Sequence, residues 1–269
     1  MGLTSNSTGI HLLRDNFKID KHENPVIALA GNPNTGKSTI FNNLTGLRQH
    51  TGNWPGKTVT QAHGYFQHRG IEYTLIDLPG TYSLLANSTE EKIARDFICF
   101  ARPEATIVVA DATNLERNLN LVLQVTELTE NTILCLNLMD EARRKNIIID
   151  IAGLQEELQI PIIPTTAREG IGLEDLKDTV ADIVAGRLQP KPAPLRYSQQ
   201  IESALDEIIP GLEDILAGLN GQINFRWLAL RFLEGDYSII ESLETHLPAA
   251  EISTEAHLQE SGVQTDGLV

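Results

Sequence analysis

The sequence lacks the features of a secreted or membrane-spanning chain. Its two cysteines, Cys99 and Cys135, lie far apart among apolar neighbours, so two buried thiols in a reducing cytosol are favoured over a disulfide. No stretch approaches the roughly 20 apolar residues that cross a bilayer, and no N-terminal stretch combines basic residues with an apolar run. We therefore expect the chain to be soluble and cytoplasmic, either alone or as the soluble part of a larger protein.

Positive charge is scarce as well. The chain has 21 lysines and arginines against 36 aspartates and glutamates, and most of the net charge of −15 falls after residue 188, where four cations stand against thirteen acidic groups. A surface this acidic repels phosphate backbones, so we expect no nucleic-acid partner. Solubility alone explains the excess of negative charge equally well.

What the sequence does contain divides it into five parts. Residues 1–24 form a polar extension, and residues 25–188 alternate short apolar runs with amphipathic stretches. A proline-dense linker at 189–196 marks a domain boundary. Residues 197–258 place apolar side chains at helical spacing without a strand pattern, and 259–269 is a polar tail. We predict an α/β domain followed by a small all-helical domain.

The alternation in the first domain indicates a doubly wound, mostly parallel sheet with helices on both faces. The predicted strands are Val26–Ala30, Thr58–Gln67, Glu72–Asp77, Thr106–Ala110, Thr132–Leu138 and Ile160–Pro164. The predicted helices are Ser38–Thr45, Thr89–Ala101, Leu115–Glu130, Ile151–Leu158 and Leu173–Ala185. The second and third strands form a hairpin that places one antiparallel strand at the sheet edge, and Thr51–Gly56 before them predicts a loop.

Three helices are predicted in the second domain. The first contains Leu205 and ends at Pro210–Gly211, and the second carries an apolar stripe through Trp227. Ser238 and Glu241 form a capping box that opens the third helix.

The segment Gly31–Ser38, with the sequence GNPNTGKS, fits the P-loop pattern in full. It follows a predicted strand and opens a predicted helix, which is the context that the motif requires, and it indicates a Ras-like P-loop NTPase fold. Lys37 is expected to reach the β- and γ-phosphates and Ser38 to bind Mg²⁺. Backbone and side-chain groups that complete the phosphate site are expected from Gly31, Asn34, Thr35, Gly36 and Thr39.

A P-loop alone does not distinguish ATP from GTP, but Asn137–Asp140 at the end of a later strand favours GTP. The Asp140 carboxylate can accept from both N1–H and the exocyclic amine of guanine, and adenine offers neither donor. Met139 stands where such motifs commonly carry lysine, and it can still pack on the base. The loop that meets guanine O6 is expected at Thr165, Thr166 and Ala167.

Hydrolysis is predicted to be slow. Asp77 can hold a Mg²⁺-bound water and the Gly80 N–H can meet the γ-phosphate, but Thr81 stands where Ras-like GTPases carry the glutamine that orients water. Thr58 is the candidate second Mg²⁺ hydroxyl, with an ordinary strand-opening threonine as the alternative. Asn34 occupies a position used by GTPases that recruit K⁺, although an asparagine that shapes the loop fits as well. The predicted catalytic residues are Asn34, Lys37, Thr58 and Gly80.

Five motifs together resemble FeoB, the prokaryotic ferrous-iron transport family: Gly31–Ser38, Gly52–Gly56, Asp77–Ser83, Asp111–Leu119 (DATNLERNL) and Arg226–Asp236 (RWLALRFLEGD). The resemblance covers about Val26 to Leu247. It implies a cytosolic GTPase domain and a helical GDP-dissociation-inhibitor-like domain, on the cytosolic face of a bacterial inner-membrane protein whose membrane domain carries Fe²⁺.

The resemblance also implies ligand sets. K⁺ would bind the Asn34 side chain and the carbonyls of Gly52 and Trp54, while Mg²⁺ would bind Ser38 and Thr58 directly and Asp77 through water. Two switch segments, at about 47–58 and 78–92, would respond to GTP. Guanine would contact Asn137, Asp140 and the Thr166–Ala167 loop. Homo-oligomers and small Feo proteins are possible partners. Two departures from the family pattern are the long extension 1–24 and the cation Lys57 between Gly56 and Thr58.

Other interpretations remain open at this point. A ribosome-assembly or tRNA-modifying GTPase of the Era or MnmE kind shares the P-loop pattern, but such proteins carry basic RNA-binding regions that this chain lacks. A scaffold protein with a structural nucleotide is a third possibility. None of the seven histidines has a metal-ligand spacing that would indicate an iron site: His11, His22, His50, His63, His68, His246 and His257.

Overall fold

The computed structural model describes Arg14, Phe17, Ile19 and residues 24–46, 49–216 and 223–246. Most of the predicted extension 1–24, the end of the predicted helical domain at 247–258 and the predicted tail 259–269 lie outside the described residues. The chain divides into two compact units, one through Leu195 and one from Arg196, and the division falls within the predicted linker. Among the helices that the structure describes, none has both the length and the apolar character that a membrane span requires.

Seven strands form one sheet in the described part of the first unit. The strands are β1 (Val26–Gly31), β2 (Gln49–Asn53), β3 (Thr60–His68), β4 (Ile71–Asp77), β5 (Ala105–Asp111), β6 (Thr132–Asn137) and β7 (Ile162–Pro164). Their order across the sheet is β2-β3-β4-β1-β5-β6-β7. The neighbouring strands are parallel from β4 through β1, β5 and β6 to β7. The β2–β3 and β3–β4 pairs are antiparallel. The parallel strands therefore bring their carboxyl ends to one edge of the sheet, where open α/β folds bind ligands.

Helices cover both faces of this sheet. The helices of the first unit are α1 (Lys37–Thr45), α2 (Thr89–Asp96), a π-helix (Phe97–Ala101), α3 (Leu115–Leu128), α4 (Met139–Arg144), α5 (Ile151–Leu158) and α6 (Leu173–Val184). Alternate strand residues such as Ile27, Leu29, Ile107 and Val109 share a buried cluster with α1 and α6. Helix α3 packs against β5 and β6. The predicted doubly wound architecture is confirmed.

The antiparallel edge differs from the prediction. The predicted loop Thr51–Gly56 is wrong for its first three residues, because β2 continues through Asn53 and pairs with β3, with Gly52 opposite Gln61. The edge strand is therefore β2, and β3 lies one strand inside. A polar segment such as β2 carries little strand pattern of its own, and its strand conformation comes from backbone pairing with β3.

One predicted helix changes its type before it ends, and another continues past its predicted end. The predicted helix Thr89–Ala101 is α-helical only through Asp96 and continues as the π-helix. In the second unit, α7 (Gln199–Ile215) passes through Pro210, which was expected to end it. Packing explains this continuation, since Ile208, Ile209 and Leu212 on both sides of the proline lie against the same buried cluster. The apolar contacts therefore outweigh the loss of one backbone hydrogen bond.

The second unit is helical in its described part, as predicted. Helix α7 packs on α8 (Phe225–Leu233) around Leu205, Ala229 and Leu230, and α9 (Ser238–His246) follows. The Arg226 guanidinium donates to both carboxylate oxygens of Glu202 at 2.8 and 2.9 Å. Arg226, together with the Tyr197 N–H, lowers the pKa of Glu202 to about 2.

Leu205 is the fully buried centre of this cluster, whereas Ile201 on the same helix is 37% exposed. We expect Leu205→Ala to lower the free energy of opening of α8 by about 2–4 kcal/mol, because a cavity replaces the side chain. Ile201→Ala, the matched control, should cost less than about 1 kcal/mol. Amide hydrogen exchange of α8 measures both values, and equal effects of the two variants would contradict this assignment of the core.

Candidate functional site

The predicted P-loop, residues 31–38, lies between β1 and α1, and we call its backbone the cradle. Asn34 and Gly36 both have positive φ, at 67° and 85°, and the Thr35 hydroxyl donates to the Asn32 carbonyl at 3.0 Å. A Cβ on Gly31 would lie 2.7 Å from the Val109 carbonyl oxygen, so only glycine fits there. The predicted P-loop thus adopts the conformation in which successive N–H groups can face one anion.

The P-loop lysine already meets the carboxylate at the end of β4. The Lys37 ammonium contacts the Asp77 carboxylate and donates to the Leu78 carbonyl at 2.7 Å. Burial raises the pKa of the Asp77 carboxyl, and the Lys37 charge opposes that rise. Ser38 is exposed in the first turn of α1. A serine hydroxyl and a carboxylate beside a helix N-terminus are oxygen donors that suit Mg²⁺.

Asn137 joins the two ends of the site. It is 1% exposed, and its amide nitrogen donates to the Thr35 carbonyl at 2.9 Å. Its side-chain oxygen accepts from the Thr165 hydroxyl and from the Ala167 N–H, both at 3.1 Å. One buried carboxamide therefore fixes the P-loop relative to the predicted guanine loop.

The predicted base-binding residues follow a sharp turn after β6. Leu138 has a positive φ of 63°, so the chain turns directly into α4, a short helix that sequence reasoning missed. The Met139 N–H donates to the Thr165 carbonyl at 3.2 Å. Asp140 lies in the first turn of α4, and its carboxylate is 28% exposed with Arg144 at 3.6 Å. Thr166 is buried beside this turn.

The segment after β4 also touches the P-loop. The Thr81 N–H donates to the Gly31 carbonyl at 3.3 Å, and a Cβ on Gly80 would lie 3.5 Å from the Pro33 nitrogen. Gly80 is therefore close to the cradle, as the sequence predicts for a residue that meets the γ-phosphate.

Three predicted ion ligands belong to the first switch segment, residues 47–58, which we call switch I. Gly52 lies in the edge strand β2, which is separated from β1 by β3 and β4. The Trp54 carbonyl accepts from the Lys57 N–H at 2.9 Å, and Thr58 is exposed in the following turn. Asn34 is exposed in the P-loop, and Thr39 is partly buried in α1. The structure therefore brings together the predicted phosphate and guanine residues, while Gly52 lies in the edge strand, three strands away from β1.

Sequence reasoning missed two asparagines of the site. Asn43 of α1 donates to the Ala167 carbonyl at 2.6 Å, and Asn32 is buried with neither side-chain polar atom bonded to another described residue. The Asn43 contact spans 124 residues, so no local pattern reveals it. Asn32 stands inside the P-loop motif at a position where the motif accepts any residue.

The parallel sheet, the P-loop cradle and the strand-end motifs together define a P-loop GTPase G domain. A family model described as "Ferrous iron transport protein B" matches residues 25–180, and one described as "FeoB cytosolic helical domain" matches residues 197–265. The chain belongs to the FeoB family.

Individual relatives agree with this assignment. The Fe(2+) transporter FeoB of Escherichia coli K12 is 40% identical over 231 residues, which are 83% of this chain and 29% of that protein. A Porphyromonas gingivalis Fe(2+) transport protein A/Fe(2+) transporter FeoB fusion protein is 39% identical over 78% of this chain and 25% of its own length. The chain thus spans between a quarter and a third of these relatives.

A solved structure gives the same result for the fold. The cytosolic domain of the T. maritima FeoB iron transporter in a GDP form has a TM-score of 0.74 and 38% identity. The match covers 86% of this chain and 88% of that chain. The fold class predicted from the sequence is therefore confirmed over both units.

Gly36 offers a direct test of the P-loop packing. A Cβ there would lie 2.3 Å from the Asn137 amide nitrogen, whereas Gly170, with nearly the same backbone angles (φ 73°, ψ 7°), has nothing within 4 Å. We expect Gly170→Ala to cost about 1–2 kcal/mol from backbone strain alone. Gly36→Ala should cost at least about 1 kcal/mol more, because Asn137 must shift. Urea unfolding measures the difference, and equal losses would contradict the contact.

Proposed function

We propose that this chain is the guanine-nucleotide-binding and GTP-hydrolysing cytosolic region of a ferrous-iron transporter. The observation that carries the proposal is the Asn137 carboxamide, which holds the P-loop carbonyl of Thr35 and the Ala167 N–H at fixed positions. Such a link is useful to a protein that binds one ligand by its phosphates and its base together. The GDP form of the T. maritima relative supports the same ligand.

At the phosphate end, the backbone from Gly31 to Ser38 would bind the β- and γ-phosphates. Lys37 would exchange its contacts with Asp77 and Leu78 for phosphate oxygens. Mg²⁺ would be held by Ser38 and, through water, by Asp77, with Thr58 added when switch I moves. When bound, this ion offsets the negative charge of the β- and γ-phosphates.

At the base end, the partly exposed carboxylate of Asp140 would accept the two guanine donors. Met139 would pack on the base. The backbone of Thr165, Thr166 and Ala167 would meet guanine O6, and Ala167 is already held from both sides by Asn137 and Asn43. Because the Ala167 N–H donates to the Asn137 side chain, it would have to be shared with or released to the guanine oxygen on binding.

Hydrolysis would be slow, because Thr81 cannot orient water as a glutamine does. Asn34, Gly52 and Trp54 would hold K⁺, which supplies positive charge beside the transferred phosphate when bound. Both backbone ligands stand in other contacts in the structure, with Gly52 paired in β2 and the Trp54 carbonyl accepting from Lys57. Because Gly52 lies in the edge strand, with β3 and β4 between it and β1, switch I would have to move toward the P-loop before the site is complete.

Transport itself would belong to a membrane part of the full-length protein, since the relatives are far longer than this chain. GTP would order the two switches and hydrolysis would release them, which biases the helical unit and the membrane part in turn. The region would act at the cytosolic face of the inner membrane. The fusion protein of P. gingivalis favours a small Feo protein as a partner, and a homo-oligomer is part of the same proposal.

Asp140→Asn tests base recognition. The amide can donate to the 2-oxo group of xanthine, so we expect the preference for GTP over XTP to fall by at least about 100-fold, as when a polar pair in a specific site is broken. Competition binding with GTP, XTP and ATP measures the preference. Glu141→Gln on the same helix is the control and should leave it unchanged. A variant that still prefers GTP would remove Asp140 from the base site.

Replacing K⁺ by Na⁺ tests the hydrolysis proposal. We expect slower GTP turnover by the wild type in Na⁺, and we expect Asn34→Ala to turn over GTP at the same low rate in both salts, because the K⁺ ligand is gone. Phosphate release at equal ionic strength measures the rates, with ATP as a negative control. Identical wild-type rates in the two salts would eliminate the K⁺ site.

A further inference from the structure

Three residues of the N-terminal segment are buried in the first unit. Arg14, Phe17 and Ile19 are 4%, 5% and 3% exposed, and we call these three residues the N-terminal anchor. They correct the prediction of a wholly polar extension, since Phe17 and Ile19 are core residues. The family model begins its match at residue 25, so the anchor lies outside the part of the chain that the model covers.

Arg14 attaches the anchor to the end of the π-helix and to the residues before β5. Its guanidinium donates to the carbonyls of Ala101 and Arg102, at 3.2 and 3.1 Å, and to the Glu104 carboxylate at 2.8 Å. Ala101 ends the π-helix, so Arg14 satisfies carbonyls that a helix end leaves unpaired. The second oxygen of Glu104 accepts from the Val26 N–H at 2.6 Å. Arg14 is thereby connected to the first residue of β1.

Phe17 places an aromatic ring against switch I. Its ring meets Trp54 edge-to-face at 6.4 Å and Phe97 at 5.3 Å, and Trp54 meets Phe97 at 5.6 Å. All three pairs are close to perpendicular, the arrangement that aromatic rings prefer. The Gln61 amide donates to the Phe17 carbonyl at 3.1 Å. The anchor thus contacts switch I, β3 and the π-helix at one place.

Trp54 is the residue of switch I that these contacts hold. Its side chain is 2% exposed. Its backbone N–H donates to the Val59 carbonyl at 3.0 Å, and its backbone carbonyl accepts from the Lys57 N–H. On the proposed function, this carbonyl and Thr58 must move to reach the ions at the nucleotide. Every ring contact that keeps Trp54 buried opposes that movement.

We propose that the N-terminal anchor is an intramolecular partner of switch I, which holds Trp54 against Phe97 and slows the ordering of switch I around bound GTP. The inference rests on the proposed function, because it concerns regulation of the same nucleotide site. It adds a regulator that is a segment of this chain itself. The anchor makes these contacts with Trp54, with Phe97 and with the end of the π-helix.

The test uses the whole chain with Trp227→Phe, which leaves Trp54 as the single tryptophan. We expect Phe17→Ala to move the Trp54 emission maximum to longer wavelength and to raise GTP turnover in K⁺ by about three- to tenfold, the range expected from losing one or two ring contacts. Arg14→Ala should act in the same direction through loss of the attachment at Ala101. It is the second variant if Phe17→Ala does not fold.

Arg187→Ala is the matched control, because Arg187 is an exposed arginine of the same unit whose partner is Asp182. It should change neither the emission of Trp54 nor the turnover. A shifted emission with unchanged or lower turnover in Phe17→Ala and Arg14→Ala would overturn the anchor as a regulator. Absence of GTP turnover in every variant, including the parent, would instead contradict the proposed function.

Discussion

The Asn137 side chain makes three hydrogen bonds in a place that water does not reach, to the Thr35 carbonyl, the Thr165 hydroxyl and the Ala167 N–H. A buried amide that loses a partner costs more than the bond itself contributes, so these three segments are held at set distances from one another. The P-loop and the predicted guanine loop come from opposite ends of the G-domain sequence, and Asn137 joins them together with Asn43, which donates to the Ala167 carbonyl. Its own position follows from β6, whose last residue it is.

That the predicted phosphate and base residues lie near one another could be predicted from the sequence, because each stands where a parallel strand ends. β1 leads to the P-loop, β4 to Asp77 and β6 to Asn137, and parallel strands end at the same edge of a sheet. The position of a residue at the end of a parallel strand therefore predicts which other strand-end residues lie near it. The same reasoning could predict that Asp140 and Thr165 approach each other, but not that α4 would begin at once after Leu138, because a positive φ at leucine has no sequence signature.

Features that depend on contacts between residues far apart in the chain could not be predicted from the sequence. β2 is a strand because β3 pairs with it, and α7 continues through Pro210 because apolar residues on both sides of the proline are buried. Phe17 and Arg14 stand in a stretch that is polar on average, and their burial depends on contacts with residues about 40 to 90 positions later. A sequence pattern reports the average polarity of a segment, and a few buried residues hardly change that average.

The composition of β2 bears on the mechanics of the sheet. Its residues from His50 to Asn53 are exposed and belong to neither of the two buried apolar clusters described above, so backbone hydrogen bonds and the stacking of His50 on His63 attach it to β3. Water can replace such bonds at small net cost. The hydrophobic interior of the sheet therefore does not depend on β2, and this outermost strand can separate from β3 while the six remaining strands keep their buried contacts.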